Sequence, residues 1–352
     1  TSIAGTDKNG DNGFLFGRME SLEGHKPVIR FIKDADIMPR FGYSNSLGNS
    51  GGIVGYGKEC IIDTAGHTVT IESSSIDSNG NHGASNYVDI YGNTGNKEKS
   101  GVGGIAGVFV NSEVTSDSIF HIQNIRIEMA MNGYAAGGGF GYVENSMLGS
   151  FADDSRGYII RNAKICTQYT ESNRTGVLIG CYKADDGNNY IINNVSAYNT
   201  RAQSYKGPSG GVAGYVVLDN ESSLTISDCS MRGVFVTARI DAGNRKSDIA
   251  GCGGFVGRVE GSTDKECFIN INNCSYVFGH DSSYRNIYMS STEQTNLWIW
   301  SDYCPTGGIA GRVKDVNIIV DTISMENLYN VSSMENGGVI GYIGNTSANR
   351  YA

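Results

Sequence analysis

The chain has 352 residues, of which 49 are glycine and only four are proline. The glycines follow no Gly-X-Y period, which excludes collagen, and 39% apolar residues with 20 tyrosines exclude a disordered chain. No apolar run approaches the length of a membrane-spanning helix. The net charge of −9 repels phosphate and argues against nucleic acid as a partner.

The first 50 residues are interpreted as an N-terminal cap that contains a degenerate first repeat, GFLFGRM from Gly13. Within the cap, TDKNGDNG places Asp7, Asn9 and Asp11 at alternate positions, as in a calcium-binding loop. Asn12 stands where such a loop requires glycine, so a polar turn is the favoured interpretation. The start at Thr1 is expected for a mature secreted chain or a segment of a larger protein.

A glycine motif recurs from residue 51 to the end of the chain and predicts a repeat architecture. It reads GGIVGYG at Gly51, GGIAGVF at Gly103, GGVAGYV at Gly210 and GGVIGYI at Gly337, with further copies between them. The closing glycines are 30 to 54 residues apart, which indicates a short unit with insertions of variable length. Apolar pairs flanked by glycine are typical of short strands that another backbone approaches closely.

A second element alternates an apolar residue, any residue, isoleucine, any residue and then asparagine or aspartate. This period of two predicts a strand with one buried face. An apolar or small residue directly after the asparagine shifts the parity, which requires a bend that asparagine tolerates. We expect the preceding isoleucines to stack in the core, and the polar residues to form a ladder at the corner: Asn124, Asn162, Asn194, Asp228, Asn273 and Asp321.

Together the two elements predict an all-β fold, a single elongated right-handed parallel β-helix of about eight or nine coils over residues 51–352. Long insertions are expected at about 60–101 and 276–304. A β-propeller and a β-sandwich are the alternatives, but the variable spacing fits a solenoid with outward loops better.

The second insertion carries the candidate binding site. Both tryptophans, Trp298 and Trp300, lie there, with Tyr303, Tyr284 and Arg285 nearby. Tryptophan and tyrosine rings stack on sugars and anchor protein interfaces. The alternative is that the insertion folds back and buries both rings.

Metal and nucleotide chemistry find little support in the sequence. The five histidines are scattered, there is no Cys-x-x-Cys pair, and the glycine motif recurs without helices. We therefore predict no catalytic residue, no metal site beyond the weak calcium candidate, and no cofactor.

Residues 253–279, GGFVGRVEGSTDKECFININNCSYVFG, and residues 210–235, GGVAGYVVLDNESSLTISDCSMRGVF, resemble the GLUG motif. This motif is found as tandem repeats in large bacterial surface proteins, including adhesins and proteins similar to IgA peptidases. The resemblance implies a β-helical, extracellular, non-catalytic module, and the motif carries no catalytic residues. The other copies lack the Asn/Asp-Cys pair of these two.

The expected function is therefore that of a secreted or cell-surface adhesin or stalk module, with a glycan or a host surface protein as partner. A carbohydrate-active β-helix enzyme and a self-assembling extracellular fibre subunit are the alternatives. Some β-helices cleave polysaccharides with grouped carboxylates, whereas Asp228 and Asp321 are isolated among asparagines.

Overall fold

A computed structural model of the chain describes residues 10–39, 47–73, 88–92, 99–129, 134–151, 155–167, 173–239, 250–277, 299–327, 330–332 and 334–344. These residues form strands that pair in parallel with the equivalent strands of the neighbouring repeats. The prediction of an all-β fold with long parallel sheets, as in a β-solenoid, is confirmed. We call the strands contributed by one repeat a layer.

The glycine motif builds two of the long sheets of the described chain, each with nine strands, one from every layer. The strands of sheet 1 are Gly10–Gly13, Leu47–Gly51, Gly101–Gly103, Ala135–Gly137, Arg174–Gly176, Ser209–Gly210, Cys252–Gly253, Thr306–Gly307 and Asn336–Gly337. The strands of sheet 2 are Phe16–Glu20, Val54–Lys58, Ala106–Val110, Phe140–Glu144, Ile179–Ala184, Ala213–Leu218, Val256–Glu260, Ala310–Lys314 and Ile340–Gly344.

Three further sheets complete the layers. Sheet 3 is short: Val28–Arg30, Ile61–Asp63, Glu113–Val114 and Met147–Leu148. Sheet 4 contains Ala35–Ile37, Thr68–Glu72, Ile119–Gln123, Gly157–Arg161, Val195–Tyr198, Ser230–Arg232, Phe268–Val277, Ser223–Ser227 and Asn189–Asn193, with Asn317–Glu326 paired to Phe268–Val277. Sheet 5 contains Ile90–Gly92, Arg126–Met129, Lys164–Thr167, Arg201–Ser204, Phe235–Arg239, Ile299–Asp302 and Asn330–Ser332.

In most copies of the motif the second residue is glycine, and it lies at the corner between sheets 1 and 2, where successive layers approach closely; the copy at Thr175 has Val177 at this position. A Cβ atom on Gly52 would lie 2.1 Å from the carbonyl oxygen of Gly104, and one on Gly211 would lie 1.8 Å from that of Gly254. The motif therefore contains glycine because the backbone of the next layer fills the space of a Cβ atom.

One apolar core runs through the described layers from Met19 to Val313. The isoleucines before the polar corner residues are buried in it, as predicted, up to Ile271. They form two stacks instead of one, because Ile160 lies opposite Ala197 and not opposite Ile192.

The split arises because one repeat contains the strand pattern twice. Residues 189–194 and residues 195–199 both alternate apolar and other residues before an asparagine. The second run pairs with Gly157–Arg161 in sheet 4, whereas Asn189–Asn193 contacts Met147–Leu148 of sheet 3. From this repeat onward, the short strands of sheet 3 are replaced by Asn189–Asn193 and Ser223–Ser227, and then by the ten-residue strands Phe268–Val277 and Asn317–Glu326.

The predicted cap and insertions contribute strands to these same sheets. Phe16–Glu20 of the cap pairs with Val54–Lys58. The stretch 60–101 includes Ile61–Asp63, Thr68–Glu72 and Ile90–Gly92, and the stretch 276–304 includes Ile299–Asp302. Both stretches therefore supply strands to the repeat.

Candidate functional site

Two corner ladders of left-handed residues follow the two isoleucine stacks. The first contains Asn124, Asn162 and Asn199, and Asn162 Nδ2 donates a hydrogen bond to Asn124 Oδ1 at 3.2 Å. The members of the second ladder have φ values between +47° and +55°: Asn194, Asp228 and Asn273. The left-handed conformation turns each strand sharply into the next, and asparagine adopts it at low cost.

The expected position of Asp321 in the ladder is wrong by one residue. Ile271 pairs with Val320, so Thr322, with a φ of +52°, lies in the layer after Asn273. Ile319 accordingly faces outward and is 52% exposed. The sequence pattern failed here because residues 318–320, Ile-Ile-Val, offer an apolar residue in either register.

The second ladder borders a groove of about 300 Å³ on the outside of the stack. Most of its lining is polar: Ser155, Arg156, Asn194, Ser196, Asp228, Ser230, Asn273 and Ser275, with Ile119, Gly157, Tyr158, Ile159 and Cys229. We call this surface the corner groove.

Hydroxyl and amide groups repeat along the corner groove from layer to layer. Ser196 pairs with Ser230 and Ser230 with Ser275, and the Ser275 Oγ donates a hydrogen bond to Ser230 Oγ at 3.3 Å. Beside them, Asn273 Nδ2 donates to Asp228 Oδ1 at 2.5 Å. Because parallel strands lie about 4.8 Å apart, the groove presents hydrogen-bonding groups at a regular spacing.

The groove is bounded toward the N terminus by the turn before Gly157–Arg161. Arg156 at this turn forms an ion pair with Asp117, and Tyr158 donates its backbone N–H to the Asn194 carbonyl at 3.0 Å. Gly157 has a φ of +110°, and a Cβ atom there would lie 2.4 Å from the Asn194 oxygen. This glycine therefore allows the preceding layer to contact the start of the second ladder.

Two cysteines lie beneath the groove as free, buried thiols, Cys229 and Cys274. Their sulfurs donate hydrogen bonds to the carbonyls of Ser227 at 3.1 Å and Asn272 at 3.0 Å. Burial raises the pKa of the Cys229 thiol well above its ordinary value.

We predict that the unreduced protein contains no Cys229–Cys274 disulfide, because ladder neighbours point their Cβ atoms in parallel and a bridge would be strained. Since burial also disfavours the thiolate, Cys229 should resist iodoacetamide at mildly alkaline pH in the folded protein and react after unfolding in urea. Peptide mass spectrometry measures both properties. A crosslinked peptide, or equal labelling of folded and unfolded protein, would contradict the prediction.

The aromatic candidates are only partly within the described residues. Trp300 lies in Ile299–Asp302 of sheet 5, opposite Thr237 and Val331, and is half-buried. Tyr303 follows this strand with a φ of +59° and packs against the core. Trp298, Tyr284 and Arg285 lie outside the described residues. Trp300 therefore belongs to a paired strand of the repeat and not to a separate loop.

The calcium candidate can be assessed at one of its three residues, since Asp7 and Asn9 lie outside the described residues. Asp11 accepts a hydrogen bond from Asn49 Nδ2 at 2.8 Å and forms an ion pair with Arg18 at 2.9 Å. Among the described residues, no group of three acidic, histidine or cysteine side chains could hold a metal ion.

No helix in the described part of the chain could cross a membrane.

Sequence reasoning missed a column of arginines and tyrosines on the outer face of sheet 2. Arg258 and Arg312 lie in register there, and Tyr215 donates a hydrogen bond to Glu260 at 2.5 Å. Burial alone would raise the pKa of Glu260, but the Tyr215 hydrogen bond and the charges of Arg258 and Lys314 lower it below its ordinary value. The signal was the aromatic residue or arginine that follows the closing glycine of most motifs.

Comparison with known proteins gives one distant structural likeness. The fold resembles that of a candidate immunoglobulin A1 protease from Bacteroides ovatus, with 14% sequence identity and a TM-score of 0.45. The match covers 91% of this chain and 78% of that one. No family model matches the sequence, and no curated protein matches it.

Proposed function

We propose that this chain is a non-catalytic, extracellular binding module of the GLUG type, which displays a glycan-binding surface on a rigid adhesin or stalk. In this proposal the layers form a right-handed parallel β-helix of about eight or nine coils, because crossovers between parallel strands are right-handed. A stack in which each repeat contacts its neighbours makes a stiff rod whose surface ladders are long and regular.

The observation that carries the proposal is the ladder of hydroxyl and amide groups in the corner groove. Ser196, Ser230 and Ser275 lie in register on successive strands and present hydroxyls that can donate and accept hydrogen bonds, with Asn194 and Asn273 beside them. Such groups match the repeated hydroxyls of a saccharide chain. The serines are half-buried and the groove is open, so a saccharide can displace water from them without a rearrangement of the strands.

The composition of the groove favours binding over cleavage. Glycosidases of most families place two carboxyl groups on either side of the scissile bond. Among the described lining residues, Asp228 is the one carboxylate, and it already accepts a hydrogen bond from Asn273. The groove thus holds polar groups for recognition and no second acid for proton transfer.

The test is binding of the protein to a panel of soluble polysaccharides, followed by calorimetry on each one that binds. Replacing both Ser230 and Ser275 by alanine removes two outward hydroxyls and leaves the core intact. We expect affinity to fall about 5- to 150-fold, since each neutral hydrogen bond contributes roughly 0.5–1.5 kcal/mol. The matched control is Ser223→Ala, on a neighbouring strand outside the groove, which should bind normally.

Two further measurements separate this proposal from its alternatives. Trp300→Ala should leave affinity unchanged, because Trp300 lies on sheet 5 and not in the corner groove. A loss of binding in that variant would move the site to the tryptophan. Release of new reducing ends from any glycan would show that the protein is an enzyme instead. Unchanged affinity in the double serine variant would show that the corner groove is not the binding site.

A further inference from the structure

The last described layer leaves inward-facing apolar positions exposed. Ile343 occupies the same column as Val259 and Val313, which are buried, yet Ile343 is 65% exposed. At the corner between sheets 1 and 2, Val339 is 50% exposed, whereas the equivalent residue of the previous layer, Ile309, is buried. These side chains are placed as core residues for which the described chain provides no covering layer.

The first described layer has a matching surface at the same corner. Leu15 and Phe16 are 43% and 45% exposed, although Ile53 and Val54, their equivalents in the next layer, are fully buried. The two ends of the described stack therefore expose apolar residues at equivalent positions of the repeat, with Leu15 in the first described layer and Val339 in the last.

Gly338 points to the same conclusion independently. At the equivalent position of earlier layers a Cβ atom would strike the next layer: 2.3 Å from Gly138 oxygen for Gly104, and 2.0 Å from Gly308 oxygen for Gly254. Around Gly338 nothing lies within 4 Å, and its φ lies outside the left-handed region. Nothing in the described chain requires glycine there, whereas a further layer stacked on it at the spacing seen above Gly104 and Gly254 would.

The outer faces of the two end layers are complementary as well. Arg312 lies 4.5 Å from the ring centre of Tyr342 in the last layer, and Arg18 lies 4.4 Å from that of Tyr56 at the first. If the repeat register continued across the two ends, Arg18 would lie on the open side of the Tyr342 ring. The resulting order, arginine, tyrosine, arginine, tyrosine, extends a cation–π stack across the junction.

We propose that the last layer binds the first layer of a second copy of this chain, head to tail. Phe16–Glu20 of the second copy would pair in parallel with Ile340–Gly344, so that Leu15 covers Val339 and Met19 covers Ile343. The carbonyl of Phe14 of the second copy then fills the space above Gly338. Because the contact joins two different surfaces and does not close, it generates a linear fibre.

The direction of the strands distinguishes this arrangement from a symmetric dimer. The strands within the stack run parallel, and joining tail to tail would oppose their directions. A symmetric contact would also bring two Tyr342 rings together, with Arg18 outside the interface. Only the head-to-tail junction continues the glycine, apolar and arginine–tyrosine columns together.

The experiment uses two variants of the full chain, Leu15→Lys at the head and Val339→Lys at the tail, studied by sedimentation velocity. The unaltered protein should form linear oligomers that grow with concentration and appear as rods by negative-stain microscopy. Each variant alone should be monomeric. An equimolar mixture of the two should form dimers and nothing larger, because one intact head meets one intact tail.

Controls separate the junction from effects on folding. Val217→Lys adds the same charge to the outer face in the middle of the stack and should assemble like the unaltered protein. Gly338→Ala should melt normally yet fail to assemble, because its methyl group meets the incoming carbonyl. An unaltered protein that is monomeric at every concentration, or a Leu15→Lys variant that dimerises alone, would overturn the proposal.

Discussion

Replacing Gly211 by alanine is expected to cost about 3 kcal/mol or more of folding free energy, because overpacking here falls on backbone and not on a flexible side chain. The new Cβ atom would lie 1.8 Å from the Gly254 carbonyl oxygen, a contact that neither layer can relieve by changing a rotamer. The stacked layers would have to separate at this corner, with loss of the pairing on both sides. Urea unfolding followed by circular dichroism measures the change.

The matched control is Gly338→Ala, the same substitution at the equivalent position of the last described layer. Nothing lies within 4 Å of that position, so the free energy of unfolding measured on the monomer should be nearly unchanged. Equal destabilisation by the two variants would show that the cost comes from the glycine backbone itself and not from the close approach of layers.

The second large effect is expected for Ile226→Ala, which should lower the free energy of unfolding by about 2–5 kcal/mol. Ile226 is fully buried between Ile192 and Ile271, and its removal leaves a cavity that the rigid strands cannot close. Urea titration measures the loss of unfolding free energy as a lower midpoint at an unchanged m-value.

Ile319→Ala provides the comparison within the same element of the repeat. Ile319 is half-exposed on the outer face of its strand, so its truncation should change stability by roughly 0.5 kcal/mol or less. If the two variants lost similar stability, the register that pairs Val320 and not Ile319 with the buried Ile271 would be incorrect.

Much of the fold follows from two sequence patterns, because both reflect direct geometric requirements. The alternation of apolar and other residues before asparagine or aspartate placed Ile160 and Ile226 in the core. The glycine motif indicated the close approach of two layers at Gly211. The patterns could not predict which strand pairs with which strand of the next layer. Residues 189–194 and residues 195–199 fit the same template, so pairing of Gly157–Arg161 with the later run was not predictable from spacing.

The corner groove was missed for the same reason. Ser196, Ser230 and Ser275 are unremarkable as single residues, and only the stacking of layers brings them into one line. The sequence directed attention to tryptophan because rare, large side chains are conspicuous in a composition. Trp300 proved to be part of a paired strand, whereas the polar surface arises from common residues at a repeated bend.

The replacement of the short strands of sheet 3 by longer strands has a consequence for how the chain folds. Repeats this similar can mispair, because a layer that docks one position too early buries almost the same residues. Strands as short as Met147–Leu148 cannot substitute for Asn189–Asn193, so the layers before and after this step are not interchangeable. We therefore expect this change in strand length to fix the pairing register, so that the layers on either side of it assemble in the correct order.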